Sequence, residues 1–305
     1  HLCDRRQRQM CIRDSSNTKA LNSTDGSTSV VKATNTYSGT GGLHQVYLGL
    51  GWSPFKGFAI GVNAAYLWGD YSRSVINSYT DAYANTLSKY YTAEVHNYKL
   101  DFGMQYTQKI TKNDAITLGV TYGLGHKLSS DPKCQIISTN AQTAVADTAT
   151  YSIGNGLELP HSYGVGLMWN HANRWRVGAD YTLQKWSSVA YPKFDTSTNS
   201  YELVSGQFAD RHKMTVGGEF CPDERSRSFF KRVHYRMGAS YATDYLKIKG
   251  QNGPKEYSVS AGFGIPIVNG YNNRSLLNIS AQWVRQDSKT FVTENSFCLL
   301  YTSPS

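Results

Sequence analysis

The sequence predicts an all-β protein, specifically a transmembrane antiparallel up-and-down β-barrel. Apolar residues recur at every second position in many segments, which is the pattern of strands with two different faces. No stretch of ten or more residues combines a 3.6-residue apolar period with helix caps, and no run of 18 apolar residues could form a transmembrane helix. Tyrosine is abundant at 22 residues, and proline is scarce at 8. This pattern argues against an ordinary soluble helical enzyme.

About ten segments show the alternation. In the segment 94–110, Leu100, Phe102 and Met104 share one face and Asp101 lies on the other. Most of the segments reach the roughly 9 to 11 residues that a tilted strand needs to cross a bilayer. The predicted strands lie at 44–52, 58–69, 94–110, 115–126, 151–169, 174–186, 211–220, 232–245, 255–268 and 275–286.

The predicted connections alternate in length along the chain. Outer-membrane barrels have short turns on one rim and long loops on the other, whereas Greek-key crossings in a soluble sandwich give no reason for this alternation. The connection at 221–232 is intermediate in length and the one at 246–254 is longer. The short turns lie at 53–57, 111–114, 170–173 and 269–274, and the long loops at 70–93, 127–150 and 187–210.

Charged residues within the predicted strands indicate which face is turned away from lipid. An arginine or lysine on the lipid face near the bilayer midplane costs roughly 2 to 4 kcal/mol. The charged positions are therefore expected to face the lumen, where several of them can neutralise one another. Glycines on the same face leave room for a plug segment or a ligand. The predicted lumen-facing residues are Arg176, Asp180, Lys213, Glu219 and Arg236.

Tryptophan and tyrosine residues fall near the ends of the predicted strands. Their amphipathic rings suit the two membrane interfaces, where aromatic girdles flank the apolar band of outer-membrane barrels. Strands are rich in aromatic residues in any case, but positions at strand ends favour a girdle. Its predicted members are Trp52, Trp68, Tyr71, Trp169, Trp175, Trp186, Tyr241, Tyr245 and Trp283.

The two ends of the chain have unusual sequences. Residues 5–15 read RRQRQMCIRDS and residues 298–305 read CLLYTSPS. A DNA sequence that encodes MCIRDS gives CLLYT when its reverse complement is translated, so both ends match one DNA element, and both resemble translated sequencing-adapter sequence. We expect residues 1–15 to be adapter-derived, non-native and disordered, residues 16–296 to form a partial barrel, and residues 297–305 to be adapter-derived.

Excluding these two ends changes the cysteine count and the net charge. The cysteine count falls from five to two, Cys134 and Cys221, and the net charge falls from +9 to about +7. The arginine-rich N-terminal stretch would otherwise suggest a basic arm for nucleic acid or lipid headgroups. We therefore predict no nucleic-acid partner.

The sequence shows no catalytic or metal-binding motif. His161 beside Ser162, and His212 near Asp210, are natural starting points for a hydrolase or a metal site. Neither pair lies in a nucleophile elbow, an HExxH helix or a cluster of ligands. The two remaining cysteines do not have the spacing of a zinc site or a disulfide framework. We predict no enzyme activity, no metal and no cofactor.

Three longer segments, at 39–70, 157–186 and 258–286, resemble a known family. They are similar to the FadL/TodX-type outer-membrane transporters of hydrophobic compounds, in the version found in Bacteroidetes, and the similarity covers nearly all of residues 40–295. Its most specific part is the succession of LP, GxGLxW and GADYxxxxW at 159–186.

The resemblance implies a 14-stranded monomeric barrel with an N-terminal hatch. Hydrophobic ligands would be captured near the extracellular loops and would leave sideways through the wall. The hatch, about three initial strands and the final strand do not appear in this sequence, so we expect an open or distorted barrel that does not insert stably as a monomer.

The predicted function is passive transport of hydrophobic small molecules, such as long-chain fatty acids, across the outer membrane of a Gram-negative bacterium. Its expected partners are outer-membrane lipid and a hydrophobic ligand, and the full-length protein is expected to be a monomer. Two alternatives stay open. One is a general diffusion porin for polar solutes, which needs a wet, charge-lined pore; the other is a barrel enzyme such as a lipase or protease.

Overall fold

A computed structural model describes residues 15–21, 31–81, 83–195, 197–224, 226–248, 250–268, 274–287 and 293–302. Helical structure in these residues consists of helix α1 (Phe229–Arg232) and a 3₁₀ turn at Trp186–Ser188. No helix in the described ranges is long and apolar enough to cross a membrane. The strands are β1 (Ser15–Leu21), β2 (Val31–Phe55), β3 (Phe58–Tyr79), β4 (Thr86–Lys109), β5 (Asp114–Gly123), β6 (His126–Ser130), β7 (Lys133–Thr139), β8 (Ala146–Ser152), β9 (Leu157–Leu159), β10 (Ser162–His171), β11 (Trp175–Gln184), β12 (Tyr191–Asp195), β13 (Ser200–Val204), β14 (Arg211–Phe220), β15 (His234–Ala242), β16 (Lys247–Ile248), β17 (Gln251–Asn252), β18 (Lys255–Val268), β19 (Arg274–Asp287) and β20 (Glu294–Thr302).

One large antiparallel sheet contains most of these strands. Its order is β1-β2-β3-β4-β5-β10-β11-β14-β15-β18-β19-β20, so each strand pairs with the next sheet strand along the chain. This is the up-and-down arrangement that the sequence predicts, and the all-β antiparallel prediction is confirmed. β1 and β20 lie at the two ends of the order, and no ladder joins them within the described part of the chain.

The register of the sheet collects the alternating residues onto two different faces. Leu50 pairs with Val62, Val62 with Phe102 and Phe102 with Tyr122, which builds a continuous apolar face. Leu50 is 68% exposed, so this face is not covered by the rest of the chain. We call it the apolar face. The opposite side, rich in glycine, serine, threonine and charged residues, is called the polar face.

Short turns on one rim agree with the sequence analysis. β2 and β3 are joined through Lys56 and Gly57, β4 and β5 through 110–113, and β10 and β11 through 172–174. Gly57 has a φ of +87°, which a residue without a side chain adopts at little cost. The predicted turn at 269–274 falls almost wholly outside the described residues.

The strands at the other rim are longer than the sequence predicts. The segment 70–93 was expected to be a loop, yet β3 runs to Tyr79 and β4 begins at Thr86. Their ladder continues without a break from Phe58 to Asn77. Beyond the apolar band, β-branched and tyrosine residues such as Val75 and Tyr90 still favour strand pairing, although the alternation is lost.

The predicted strand at 151–169 is wrong, because three separate strands, β8, β9 and β10, cover this region. Asn155 has a φ of +54°, which marks a turn after β8. Pro160 follows β9 and cannot donate a backbone hydrogen bond. The predicted loops at 127–150 and 187–210 also contain strands, namely β6 to β8 and the hairpin β12-β13.

These additional strands form a small core at the long-loop rim. Residues 101–109 of β4 pair with β5, whereas residues between 86 and 96 of the same strand pair with β6 and β7. The buried side chains there come from β4, β6, β7 and β12, namely Ala93, Val95, Leu128, Cys134 and Phe194.

The ends of the described chain also form strands. β20 contains Phe297–Thr302 and pairs with β19, so part of the segment set aside as adapter-derived is included in the sheet. Residues 1–14, expected to be disordered, lie outside the described residues, and Ser15 begins β1.

Candidate functional site

The polar face carries an ion-pair network centred on Glu219. Arg176, Glu219 and Arg236 occupy directly opposed positions on β11, β14 and β15. The Nη1 atom of Arg176 lies 3.3 Å from one carboxylate oxygen of Glu219, and the Nε atom of Arg236 donates to the other at 2.6 Å. Arg236 also donates to Oδ1 of Asn278 at 2.6 Å. Three of the five predicted lumen-facing residues are therefore joined by ion pairs.

Asp180 and Lys213 lie on the same face without joining this network. Asp180 is opposite Gly166, where a Cβ atom would collide with the carboxylate of Asp180, so the glycine leaves the space that this side chain fills. Lys213 is exposed and lies opposite Thr182. The register thus brings all five charged residues to one face.

A hollow of about 560 Å³ lies on the polar side of β3, β4 and β5. A row of small residues creates it, because Gly61 pairs with Gly103, Gly103 pairs with Thr121, and Thr121 pairs with Gly164. Asp101 forms an ion pair with Lys99 beside it. Polar atoms at its wall come from Asn63, Asp101, Gln105, Thr121 and Ser162.

A second hollow, of about 490 Å³, lies directly behind the first on the apolar face. Gly61 and Gly103 line both hollows, so only backbone separates them at this point. The ladder between β3 and β4 is continuous here, and the wall is therefore closed. The side chains around this hollow include Leu50, Trp52, Ile60, Phe102 and Met104.

Three of the predicted girdle residues lie on the apolar face at the short-turn rim. Trp52, Trp169 and Trp175 are 66%, 41% and 46% exposed. The indole Nε1 of Trp169 donates to Oδ1 of Asp114 at 3.2 Å, and the ring of Trp175 stacks on Phe220 with centroids 4.1 Å apart. Each ring thus combines an exposed apolar surface with a position near a strand end.

The other six girdle residues occupy three different environments. Trp68, Tyr241 and Trp283 lie on the apolar face, and Tyr241 packs against Tyr257. Trp186 and Tyr245 stack on each other with centroids 4.7 Å apart at the long-loop rim. Tyr71 lies instead on the polar face, where it forms a hydrogen bond with Tyr191.

The two histidines considered as catalytic candidates bond to tyrosines. The Nδ1 atom of His161 lies 2.9 Å from the hydroxyl of Tyr122, and that of His212 lies 2.8 Å from the hydroxyl of Tyr181. Asp210 instead accepts hydrogen bonds from Lys185 and from the backbone N–H of Ser187. These contacts fix side chains at the ends of strands.

The structure brings together one group of potential metal-binding side chains that the sequence does not predict. Cys221, Glu224 and His234 come together at the turn between β14 and β15. The spacing of these residues along the sequence matches no common metal-binding motif. The burial of His234 follows from the fold and could not be predicted from the sequence.

Solved structures with a similar fold are channels and transporters. The CymD monoaromatic hydrocarbon channel has a TM-score of 0.58 at 12% identity, and the match covers 94% of this chain and 84% of that one. The Ralstonia pickettii toluene transporter TbuX has a TM-score of 0.54 at 11% identity, covering 94% of this chain and 68% of that one. The P. putida toluene transporter TodX has a TM-score of 0.53 at 12% identity, covering 94% of this chain and 80% of that one.

Likeness at this level of identity establishes the fold, and it confirms the predicted FadL/TodX-type barrel architecture. No curated protein matches the chain in sequence. The profile of the BamG family matches residues 15–299, which is most of the chain. The chain is therefore an outer-membrane β-barrel protein of a Gram-negative bacterium, and it belongs to the BamG family.

Proposed function

We propose that the full-length protein is a passive, non-enzymatic channel for hydrophobic small molecules, such as long-chain fatty acids, and that it works as a monomer. The observation that carries the proposal is the fold, which the chain shares over 94% of its length with the CymD hydrocarbon channel and with the toluene transporters TbuX and TodX. A channel function requires an enclosed path and no covalent chemistry.

The two faces of the sheet supply the physical setting for this function. We assign the apolar face to outer-membrane lipid and the polar face to the lumen. Placing Arg176 or Lys213 against lipid would cost roughly 2 to 4 kcal/mol near the midplane. The exposed Trp52, Trp169 and Trp175 would then lie in the interfacial girdle, with their polar atoms near the headgroups.

The long-loop rim offers a place where a hydrophobic acid could enter. Tyr71 on the polar face lies near Tyr191 of β12 and Tyr201 of β13, and tyrosine rings combine an apolar body with a polar tip. The guanidinium of Arg73 lies 5.2 Å from the ring centroid of Tyr91. Arg73 therefore places a positive charge beside these rings, as the carboxylate of a fatty acid requires.

Two neighbouring positions on β4 allow a matched test of the path. Gln105 lines the polar hollow, and Met104 projects from the apolar face and is 50% exposed. Gln105→Trp would fill space in the lumen, whereas Met104→Trp adds a similar volume on the lipid side. We expect Gln105→Trp to slow entry of labelled oleate into liposomes several-fold, while Met104→Trp leaves the rate unchanged.

The same liposomes distinguish the other functions. Rapid swelling in sugar solutions without oleate binding would contradict the proposal and would indicate a general diffusion porin. Labelling of the folded protein by a serine-reactive probe would indicate an enzyme. Equal oleate entry in both tryptophan variants would show that the polar hollow is not part of the path.

A further inference from the structure

Three side chains with metal-binding atoms meet where β14 ends and β15 begins. The Sγ atom of Cys221, a carboxylate oxygen of Glu224 and an imidazole nitrogen of His234 all lie within 4.8 Å of one another. Cys221 is 1% exposed and His234 is 7% exposed. Glu224 is exposed, so one side of the cluster is open to solvent.

The turn is folded so that it brings these atoms together. The backbone N–H of Cys221 donates to the carbonyl oxygen of Arg174 at 2.8 Å, which ties the end of β14 to the neighbouring turn. The N–H of Asp223 donates to the carbonyl oxygen of Lys231 at 2.9 Å, so the chain folds back along α1. Glu224 is thereby carried toward His234, the first residue of β15.

The imidazole of His234 is held in the orientation that metal binding requires. Its Nδ1 atom lies 3.1 Å from Oε1 of Glu219, whose carboxylate is itself fixed by Arg236 and Arg176. With the Nδ1 proton donated to Glu219, the lone pair lies on Nε2, which faces Glu224. Histidines that bind metals usually donate their second N–H to a carboxylate in this way.

We propose that Cys221, Glu224 and His234 bind a Zn²⁺ ion. Nε2 of His234 lies 3.9 Å from Oε1 of Glu224, which is too long for a hydrogen bond. Nitrogen and oxygen ligands of one tetrahedral zinc ion lie about 3.4 Å apart, so a small movement of the exposed Glu224 brings this pair to the separation that zinc requires.

The ligand set selects the metal. Sulfur, nitrogen and oxygen ligands suit zinc, whereas Ca²⁺ and Mg²⁺ require oxygen ligands. Binding breaks the S–H bond of Cys221, forms an S–Zn bond and releases one proton to solvent. The thiolate and the Glu224 carboxylate then balance the two positive charges of the ion, and a water molecule fills the fourth position.

The surroundings of the thiol favour a cation. The Cys221 side chain is buried near the carboxylates of Glu224 and Glu219, whose negative charges attract a positive ion. The bound ion would join the turn to the start of β15 and would limit the movement of this part of the rim.

Metal titration of the purified protein in detergent tests the proposal directly. After treatment with a chelator, the folded chain should bind one Zn²⁺ per molecule in calorimetry and elemental analysis, and neither Ca²⁺ nor Mg²⁺ should compete. Co²⁺ used as a spectroscopic probe should give a thiolate charge-transfer band. Cys221→Ser should abolish this band and weaken zinc binding by more than about 100-fold.

Matched variants separate the site from general effects. Glu224→Gln alters an exposed side chain and should weaken zinc binding at least about tenfold without loss of strand structure. Glu202→Gln removes an exposed carboxylate on β13 and should have no effect. A chain in which Cys3, Cys11, Cys134 and Cys298 are all replaced by serine should still bind one equivalent.

Three results would overturn the proposal. They are the failure of the folded wild-type chain to bind zinc, equal binding by Cys221→Ser, and loss of binding by a folded chain in which the other four cysteines are replaced. None of these outcomes bears on the transport of hydrophobic molecules, so the two proposals stand or fall separately.

Discussion

The Nε atom of Arg236 lies 2.6 Å from a carboxylate oxygen of Glu219, at directly opposed positions of adjacent strands. Arg176 approaches the same carboxylate from the other side at 3.3 Å. Two guanidinium groups therefore depend on one acidic side chain on the polar face, near the turn between β14 and β15.

Replacement of this acid leaves two arginines facing each other across β14. We expect Glu219→Gln to lower the free energy of unfolding by about 1 to 2 kcal/mol, because both arginines keep partial contact with solvent. Urea titration of tryptophan fluorescence in detergent, with a chelator present, measures the difference. Glu202→Gln is the matched control, and an equal loss of stability in that variant would contradict the expectation.

The assignment of the two faces predicts opposite outcomes at neighbouring positions. Val216 lies on the apolar face and is 55% exposed, whereas Thr215 lies on the polar face opposite Asp180. Val216→Arg should reduce stability in lipid vesicles by roughly 2 to 4 kcal/mol, since its charge would lie against hydrocarbon. Thr215→Arg should reduce stability much less. Resistance of the chain to protease in the vesicles measures the effect of both substitutions.

The contacts of Asp210 with Lys185 and Ser187, which lie outside the strands of the sheet, should depend on pH. Burial alone would raise its pKa, but hydrogen bonds from Lys185 and Ser187 outweigh burial and lower the pKa from 3.8 to about 2. A lowered pKa in the folded state means that the carboxylate stabilises the protein above about pH 4. This contribution is lost as the pH falls toward 2.

The comparison of wild-type protein with Asp210→Asn isolates this effect. We expect the stability difference between them to be constant above about pH 4 and to shrink steadily below it. At alkaline pH the contact should persist beyond the usual range of lysine, because Asp210 raises the pKa of Lys185. A difference that does not change down to pH 2 would contradict the assignment.

The hairpin of β2 and β3 contains a close backbone approach that only glycine permits. Gly41 has a φ of +121° and Gly69 a φ of +148°, and a Cβ atom on either would collide with the backbone of the other strand. Gly41→Ala should therefore lower stability by about 1 to 3 kcal/mol. Gly42→Ala is the matched control, because nothing lies within 4 Å of its Cβ position. Equal unfolding midpoints for the two variants would disprove the expectation.

Most of the sheet could be predicted from the alternation of apolar and polar residues in the sequence. Segments such as 174–186 and 211–220 correspond closely to β11 and β14, because one face must be apolar and exposed while the other holds glycine and charge. The charged side chains of β11, β14 and β15 share one face in the register, because a period of two fixes the face of every residue once one is known. Their orientation toward a lumen stays a prediction.

The extended hairpins could not be read in the same way. Beyond the apolar band the residues of β3 and β4 do not alternate regularly between apolar and polar, so residues up to Tyr79 and from Thr86 look like a loop in sequence. The hairpin β12-β13 is similar, because it becomes ordered through contacts with residues far away in the chain, such as that of Phe194 with Tyr151.

The cluster of Cys221, Glu224 and His234 shows a third limit of the sequence. One turn and the short helix α1 separate its residues along the sequence, and this spacing is not a recurring metal-binding motif. The signal that could have indicated it is the pair of apolar-flanked polar residues, Cys221 and His234, at the two ends of one connection. Only the fold reveals that these ends meet.

The row formed by Gly51, Gly61 and Gly103 has a mechanical consequence. Sheets resist bending largely because side chains on each face interlock with their neighbours, and along this row both faces are hollow. We therefore expect the wall to be less stiff along this row than where side chains interlock. Changes in the curvature of the sheet, whether driven by membrane tension or by the contents of the lumen, should concentrate along this line.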